Sequence, residues 1–270
     1  MLKYNLITSF RSIRRNLSFS LINISGLSLG LTLVIILFTW LKFEYSFDNF
    51  HNNADRIFRV VVEFNQEKSS DNFANTPAPL GEVLKKDIPE VVEYVRFGYL
   101  GEMLVNYENE QYWEKIDLAD PSIFNIFSFK LISGNPETAL NNRGSLIISE
   151  TKAKKYFGSK NPLGQTLFLG ESDTKAPYII TGVMKDIPAN SQLQFNFLGS
   201  FSEIQSNLTW HQWNYDTYVL ARNTGSFKPI SDKLPEVVKN IPGEQKYQLH
   251  IQPLTSIHLH SNLQYRDYSH

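Results

Sequence analysis

Residues Asn16 to Leu41 read NLSFSLINISGLSLGLTLVIILFTWL, a stretch without a charge that lies between Arg15 and Lys42. Its apolar part, Leu21 to Leu41, matches the roughly 20 residues a helix needs to cross the hydrocarbon core of a bilayer. A secretory signal peptide would carry a shorter apolar region, about 7–15 residues, ending in a small-residue cleavage site. This run is longer and leaves through Phe38, Trp40 and Leu41, with Trp40 placed as an interfacial aromatic. The sequence therefore predicts a retained transmembrane helix over 18–42.

The flanks set an orientation. Lys3, Arg11, Arg14 and Arg15 precede the span with no acidic residue, whereas Lys42, Arg56 and Arg59 after it mix with Glu44, Asp48 and Asp55. The positive-inside rule then places the N-terminus in the cytoplasm and the rest of the chain across the membrane. Leu2, Leu6, Phe10, Ile13 and Leu17 fall on one helical stripe beside those four basic residues. This predicts a cytoplasmic interfacial amphipathic helix over 1–17 whose Lys3, Arg11, Arg14 and Arg15 contact the inner leaflet. The alternative is that these charges only fix topology. Within the span, Gly26 and Gly30 make G-x-x-x-G, and Asn23 is a polar residue that prefers a partner to lipid, so Asn23, Gly26 and Gly30 form a candidate helix-packing face.

Composition bounds the rest. The 270 residues carry a formal net charge of -1, which is no footprint for nucleic acid. Cysteine is absent, so a disulfide scaffold and thiol chemistry are excluded. Aromatic residues at 13% with only 14 glycines indicate an ordered domain beyond the span and not a linker.

Beyond the span, Asn52, Asn53 and Asp55 supply turn chemistry, and Phe58, Val60, Val62 and Phe64 alternate with Arg59 and Glu63 as in a half-buried strand. Thr76, Pro77 and Pro79 open a helix carrying Leu80, Val83, Leu84 and Ile88, which Pro89 stops, and Val91 to Phe97 is again a strand. The same order returns later: a strand over Tyr215 to Ala221, a helix carrying Phe227, Ile230, Leu234, Val237 and Val238 with Pro235 inside it, and alternating Tyr247, Leu249 and Ile251. Between them lie strands at Ser145–Ser149, Gln165–Leu169, Tyr178–Val183 and Leu193–Phe197, and a helix capped by Ser149 and ended by Gly158. The expected class is α+β, with a discontinuous subdomain of two strand-helix-strand units over 43–105 and 200–265 and a β-rich insert over 106–199.

No motif carries catalysis. The loop Gly158 to Thr166, GSKNPLGQT, has five residues between its glycines and Gln165 where a phosphate-binding lysine would stand, so it reads as a turn. His258 and His260 would share a face on a strand, with His250 upstream and His270 at the end, yet lack the further ligands zinc requires. Glu150, Glu171 and Asp173 have no pairing that singles out an acid and a base. No catalytic residue, cofactor or metal is expected.

Several segments together carry a family likeness: INISGLSLG (Ile22–Gly30), FDNFHNNADRIFRV (Phe47–Val60), DPSIFNIFSFKLISGNPETAL (Asp120–Leu140), LIISETKAKKYFGSKNPLGQTL (Leu146–Leu167), YIITGVMKDIPANSQLQFNFLGS (Tyr178–Ser200) and LTSIHLHS (Leu254–Ser261). In this order the chain resembles the long permease subunits of MacB and FtsX type ABC transporters, in the version typical of Bacteroidota. The resemblance implies a first transmembrane helix in the bacterial inner membrane and a periplasmic core domain of two subdomains. It also implies a separate cytoplasmic ABC ATPase, a homodimer or paired permease, contact with membrane lipid, and a periplasmic or outer-membrane partner. His258 and His260 would then lie on a strand leading back to the membrane. Because further spans follow the periplasmic domain in that family, this chain is expected to be the N-terminal part of a longer permease. The competing expectations are a single-span anchored periplasmic sensor or accessory domain and an anchored hydrolase, which would need a nucleophile beside a base.

Overall fold

The computed structural model describes residue 11 and residues 14–65, 70–108, 110–171, 175–207, 209–242, 247–261 and 263. They form two compact units, Met1–Ser46 and Phe47–His270. The first consists of helix α1 (Leu17–Glu44), whose side chains are not buried by the chain and whose span contains the sequence-predicted 18–42. Arg11, Arg14 and Arg15 are helical and exposed. Most of the predicted 1–17 helix, Lys3 included, lies outside the described residues.

The second unit is mixed α+β. In chain order its strands are β1 (Ile57–Asn65), β2 (Ser70–Phe73), β3 (Asn75–Pro77), β4 (Val91–Tyr107), β5 (Glu110–Ala119), β6 (Leu131–Gly134), β7 (Ser145–Ser149), β8 (Thr166–Leu169), β9 (Ala176–Met184), β10 (Phe197–Ser200), β11 (Trp213–Ala221) and β12 (Tyr247–Pro253). The helices are α2 (Leu80–Asp87), α3 (Ile123–Ile126), α4 (Glu150–Phe157), α5 (Phe227–Asn240) and α6 (Ile257–His260). All strands belong to one sheet in the order β12-β1-β11-β4-β5-β10-β7-β9-β6, with β2, β3 and β8 attached beside it. The hairpin β4–β5 carries the sheet from one block of chain to the other, pairing from Phe97↔Ala119 to Tyr107↔Glu110.

One helix pair and a third helix cover parts of this sheet. Helices α2 and α5 bring Leu80, Leu84, Ile230, Leu234 and Val237 onto Val60, Val62 and Val219. Helix α4 brings Ala153, Tyr156 and Phe157 onto Leu146, Ile148, Leu167 and Ile180. Ser149 caps α4 by accepting from the Lys152 N–H, and Gly158 ends it at φ 58, the left-handed conformation that glycine adopts without a Cβ clash. Pro235 lies within α5 without ending it.

The structure corrects three local readings. Strand β1 is not half-buried: Phe58, Arg59, Val60, Val61 and Val62 are all buried, because β12 and β11 flank it and cover its edges while side chains pack on both faces. Residues Gln192 to Asn196 alternate in burial but form no ladder before Phe197; the Gln192 N–H, which a ladder would use, is taken by the Asp48 carboxylate. His258 and His260 lie on helix α6 and not on a strand: Pro253 ends β12, and Ser256 Oγ donates to the Pro253 carbonyl at 2.8 Å, closing a tight turn.

Candidate functional site

Helix α1 is 28 residues long, about 42 Å at 1.5 Å per residue, which exceeds a hydrocarbon core of roughly 30 Å. Three of its hydroxyls are satisfied within the helix: Ser25 Oγ donates to the Ile22 carbonyl at 3.1 Å, Thr32 Oγ1 to Ser28 at 2.7 Å and Thr39 Oγ1 to Ile35 at 2.7 Å. They can therefore face lipid without a free donor. The Asn23 amide makes no such bond among the described residues. At 100° per residue Asn23, Gly26 and Gly30 share one stripe, and a Cβ built on either glycine would meet no atom within 4 Å. The structure thus leaves these three residues on one uncovered face of α1.

The domain begins, three positions after the helix ends, with a buried polar joint. Asp48 is 1% exposed and has φ 57. Its carboxylate accepts from Ser191 Oγ at 2.9 Å and from the Gln192 N–H at 3.0 Å, while its own N–H donates to the Asn190 carbonyl at 2.9 Å. His51 is also buried; its Nδ1 accepts from the Ser128 N–H at 3.0 Å, which makes Nε2 the protonated nitrogen, 3.8 Å from Asp48 Oδ1. The rings of Phe127 and Phe129 stand edge-on to the imidazole. Burial lowers its pKa to about 4, so it is neutral at physiological pH. Burial raises the Asp48 carboxyl, opposed by the Gln192 and Ser191 bonds and by the charge of His258. Phe47 stacks on His258 at 3.5 Å, and Asn53 Nδ2 donates to the Ile126 carbonyl at 3.2 Å. Together these contacts tie the start of the domain to segments 126–129, 190–192 and 258. Sequence reading gave Asn52, Asn53 and Asp55 as turn chemistry; the local signal of more was an Asp and a His three apart among phenylalanines, residue types that need partners when buried.

The histidines and carboxylates raised as candidates for chemistry are dispersed. His250 Nε2 lies 2.7 Å from Glu63, His258 is the stacking partner of Phe47, and Glu150 is an exposed first-turn residue of α4. Asp173 and His270 lie outside the described residues. Among the described residues no three His, Cys, Asp or Glu side chains are grouped to hold a metal ion. The loop Gly158–Thr166 is a chain of turns, with Leu163 N–H donating to Asn161 Oδ1 at 3.1 Å and Gln165 N–H to the Pro162 carbonyl at 3.0 Å.

One feature had no sequence signal: a narrow cavity on the sheet face between β1, β11, β4 and β5, roofed by Gln192–Gln194 and Ile257. Asp117 of β5 is in its wall.

The model of the MacB-like periplasmic core domain family matches residues 20–237. A search of curated proteins finds no match. Among solved structures, a permease-protein domain from Porphyromonas gingivalis superposes with a TM-score of 0.68 at 25% identity, over 75% of this chain and 91% of that one. The extracellular domain of the noncanonic ABC-type transporter YknZ from Gram-positive bacteria gives a TM-score of 0.53 at 16% identity, over 72% and 98%. The periplasmic region of MacB from Actinobacillus actinomycetemcomitans gives 0.54 at 16% identity, over 75% and 90%. The last two share the fold with this chain.

Proposed function

Because the chain belongs to the MacB-like periplasmic core domain family, we propose that it is the N-terminal part of a permease subunit of a MacB/FtsX-type ABC transporter, passing ATPase-driven motion to its periplasmic domain for export or extraction of substrate. In this reading the ATPase is a separate cytoplasmic subunit. The N-terminus is cytoplasmic, α1 spans the inner membrane, and residues 43–105 with 200–265 move as one subdomain against 106–199. Lys3, Arg11, Arg14 and Arg15 contact the inner leaflet, and Asn23, Gly26 and Gly30 pack against another helix of the same or a paired permease.

The observation that carries the reading is the joint at Asp48 and His51. The first residues of the domain are fixed to its core by hydrogen bonds to residues as far as 144 positions away. The lack of a grouped nucleophile and base in the sequence fits a component that moves and does not catalyse.

The test is affinity capture of the tagged native protein from detergent-solubilised membranes. Co-purification of a subunit with an ATP-binding cassette supports the reading. Reproducible capture without one rejects it and favours the anchored sensor or accessory domain, to which the cavity lends support. For the packing face, Gly26→Leu with Gly30→Leu is expected to weaken self-association in a membrane two-hybrid assay; unchanged association removes that part.

A further inference from the structure

The cavity floor is built by the register of the sheet. Tyr99 pairs with Asp117, Asn75 with Asp216, and Tyr218 with Arg59, so these side chains share one face. Asp117 is 1% exposed, and among the described residues no group donates a hydrogen bond to either of its carboxylate oxygens. Lys115, two residues along the strand on the same face, holds its Nζ 3.6 Å from Asp117 Oδ1, outside hydrogen-bonding range, and is 35% exposed. Arg59 lines the far side on β1, with Nη2 committed to Gln252 at 2.8 Å and Ser261 at 2.9 Å. Gln194 has its amide nitrogen bound to two backbone carbonyls, which leaves its carbonyl oxygen as the acceptor end.

A buried carboxylate without a hydrogen-bond donor is destabilising, and such groups in native proteins are mostly bonded or face a ligand. The acceptors in the cavity are Asp117 and Gln194, set opposite the Arg59 Nε donor, and its volume is about 40 Å³. That is far below the roughly 300 Å³ or more of a drug-sized site. It suits a compact head group with several donors. A divalent cation would need further carboxylate or imidazole ligands, which are not grouped here among the described residues.

We propose that this cavity binds the ammonium head of a small primary amine, with Asp117 as its acceptor and Lys115 as the internal group that competes for it. The inference goes beyond the transport reading and stands or falls separately from it. An ammonium offers three donors to a carboxylate that accepts no hydrogen bond among the described residues and whose one facing cation, Lys115, stands off at 3.6 Å. The tail of the amine leaves past Gln192 and Gln194. This site has a mark that a purely structural ion pair lacks: removing Lys115 frees the acceptor.

The experiment titrates n-butylammonium into the full chain in detergent micelles and follows the heat of binding by isothermal titration calorimetry for parent and variants alike, with potassium as the control cation. Saturable binding is expected. Asp117→Asn should weaken it by about tenfold or more, the effect of losing a charge-assisted hydrogen bond. Lys115→Met, which keeps an apolar stem, should tighten it several-fold. Absence of saturable binding up to about 50 mM, equal binding to Asp117→Asn, or weaker binding to Lys115→Met overturns the proposal. Because Asp117→Asn is expected to fold at least as stably as the parent, its loss of binding is not confounded with unfolding.

Discussion

Replacing Asp117 by Asn should stabilise the domain at neutral and alkaline pH and leave it nearly unchanged in acid. Burial pushes the carboxyl up to about 7, with Lys115 pulling the other way, against an ordinary 3.8. A carboxyl whose pKa is raised by folding is favoured in its neutral form, so the fold has its full stability below pH 3.8 and loses it as pH rises through about 7. At about 1.4 kcal/mol per pKa unit, the gap of roughly three units corresponds to about 4 kcal/mol of destabilisation above pH 7. Relaxation of the site and the half-buried Lys115 partner reduce that ceiling, and we expect Asp117→Asn to recover about 2 kcal/mol at pH 8. For a domain of this size that is a rise in Tm of about 4–8 °C. The assay is thermal unfolding of parent and variant in micelles, followed by tryptophan fluorescence at pH 4 and pH 8. Equal destabilisation of the variant at both pH values would refute the reasoning, since it would mean that the ionised carboxylate is well solvated or bonded in the fold.

The joint and the turns give further expectations. His51 is held neutral, with its pKa lowered by burial to about 4 from 6.5, so its contribution is present above pH 6.5 and is lost as pH falls through about 4. His51→Gln should lower Tm at pH 7 through lost ring packing yet flatten the fall in stability between pH 7 and 4.5 by about 2 kcal/mol, read from Tm against pH. Gly134 has φ 97, and a Cβ there would sit 2.4 Å from the Thr181 carbonyl oxygen. Gly134→Ala should therefore cost about 3 kcal/mol in denaturant unfolding, and a cost below about 1 would show that β6 shifts freely. Ser149→Ala removes the cap of α4 and should cost about 1 kcal/mol in the same assay.

The features legible in the sequence are those with a local cause. Helix α1 follows from an uncharged run of sufficient length, α4 from a Ser cap and a Gly stop, and β12 from strict alternation of Tyr247, Leu249 and Ile251. Each depends on residues within a turn or two of one another, so the pattern is visible without knowing the fold. Where a local pattern misled, a distant group had intervened. Gln192 to Asn196 has a strand's alternation, but its first N–H is claimed by Asp48 from 144 residues away.

The sequence by itself settled that an apolar helix long enough to span a bilayer precedes an α+β domain without cysteines, because hydropathy and periodicity are properties of neighbouring residues. Tertiary structure alone decided which strands meet: β1 lies between β12 and β11, whose residues are some 160 to 195 positions later, and both of its faces are buried as a result. It also decided what surrounds each polar side chain. Asp48 and Asp117 are the same residue type, yet one is wrapped in donors and the other is left without any among the described residues. That difference arises from non-local packing, and the desolvation and hydrogen bonding that set their chemistry are fixed only when the distant segments close over them.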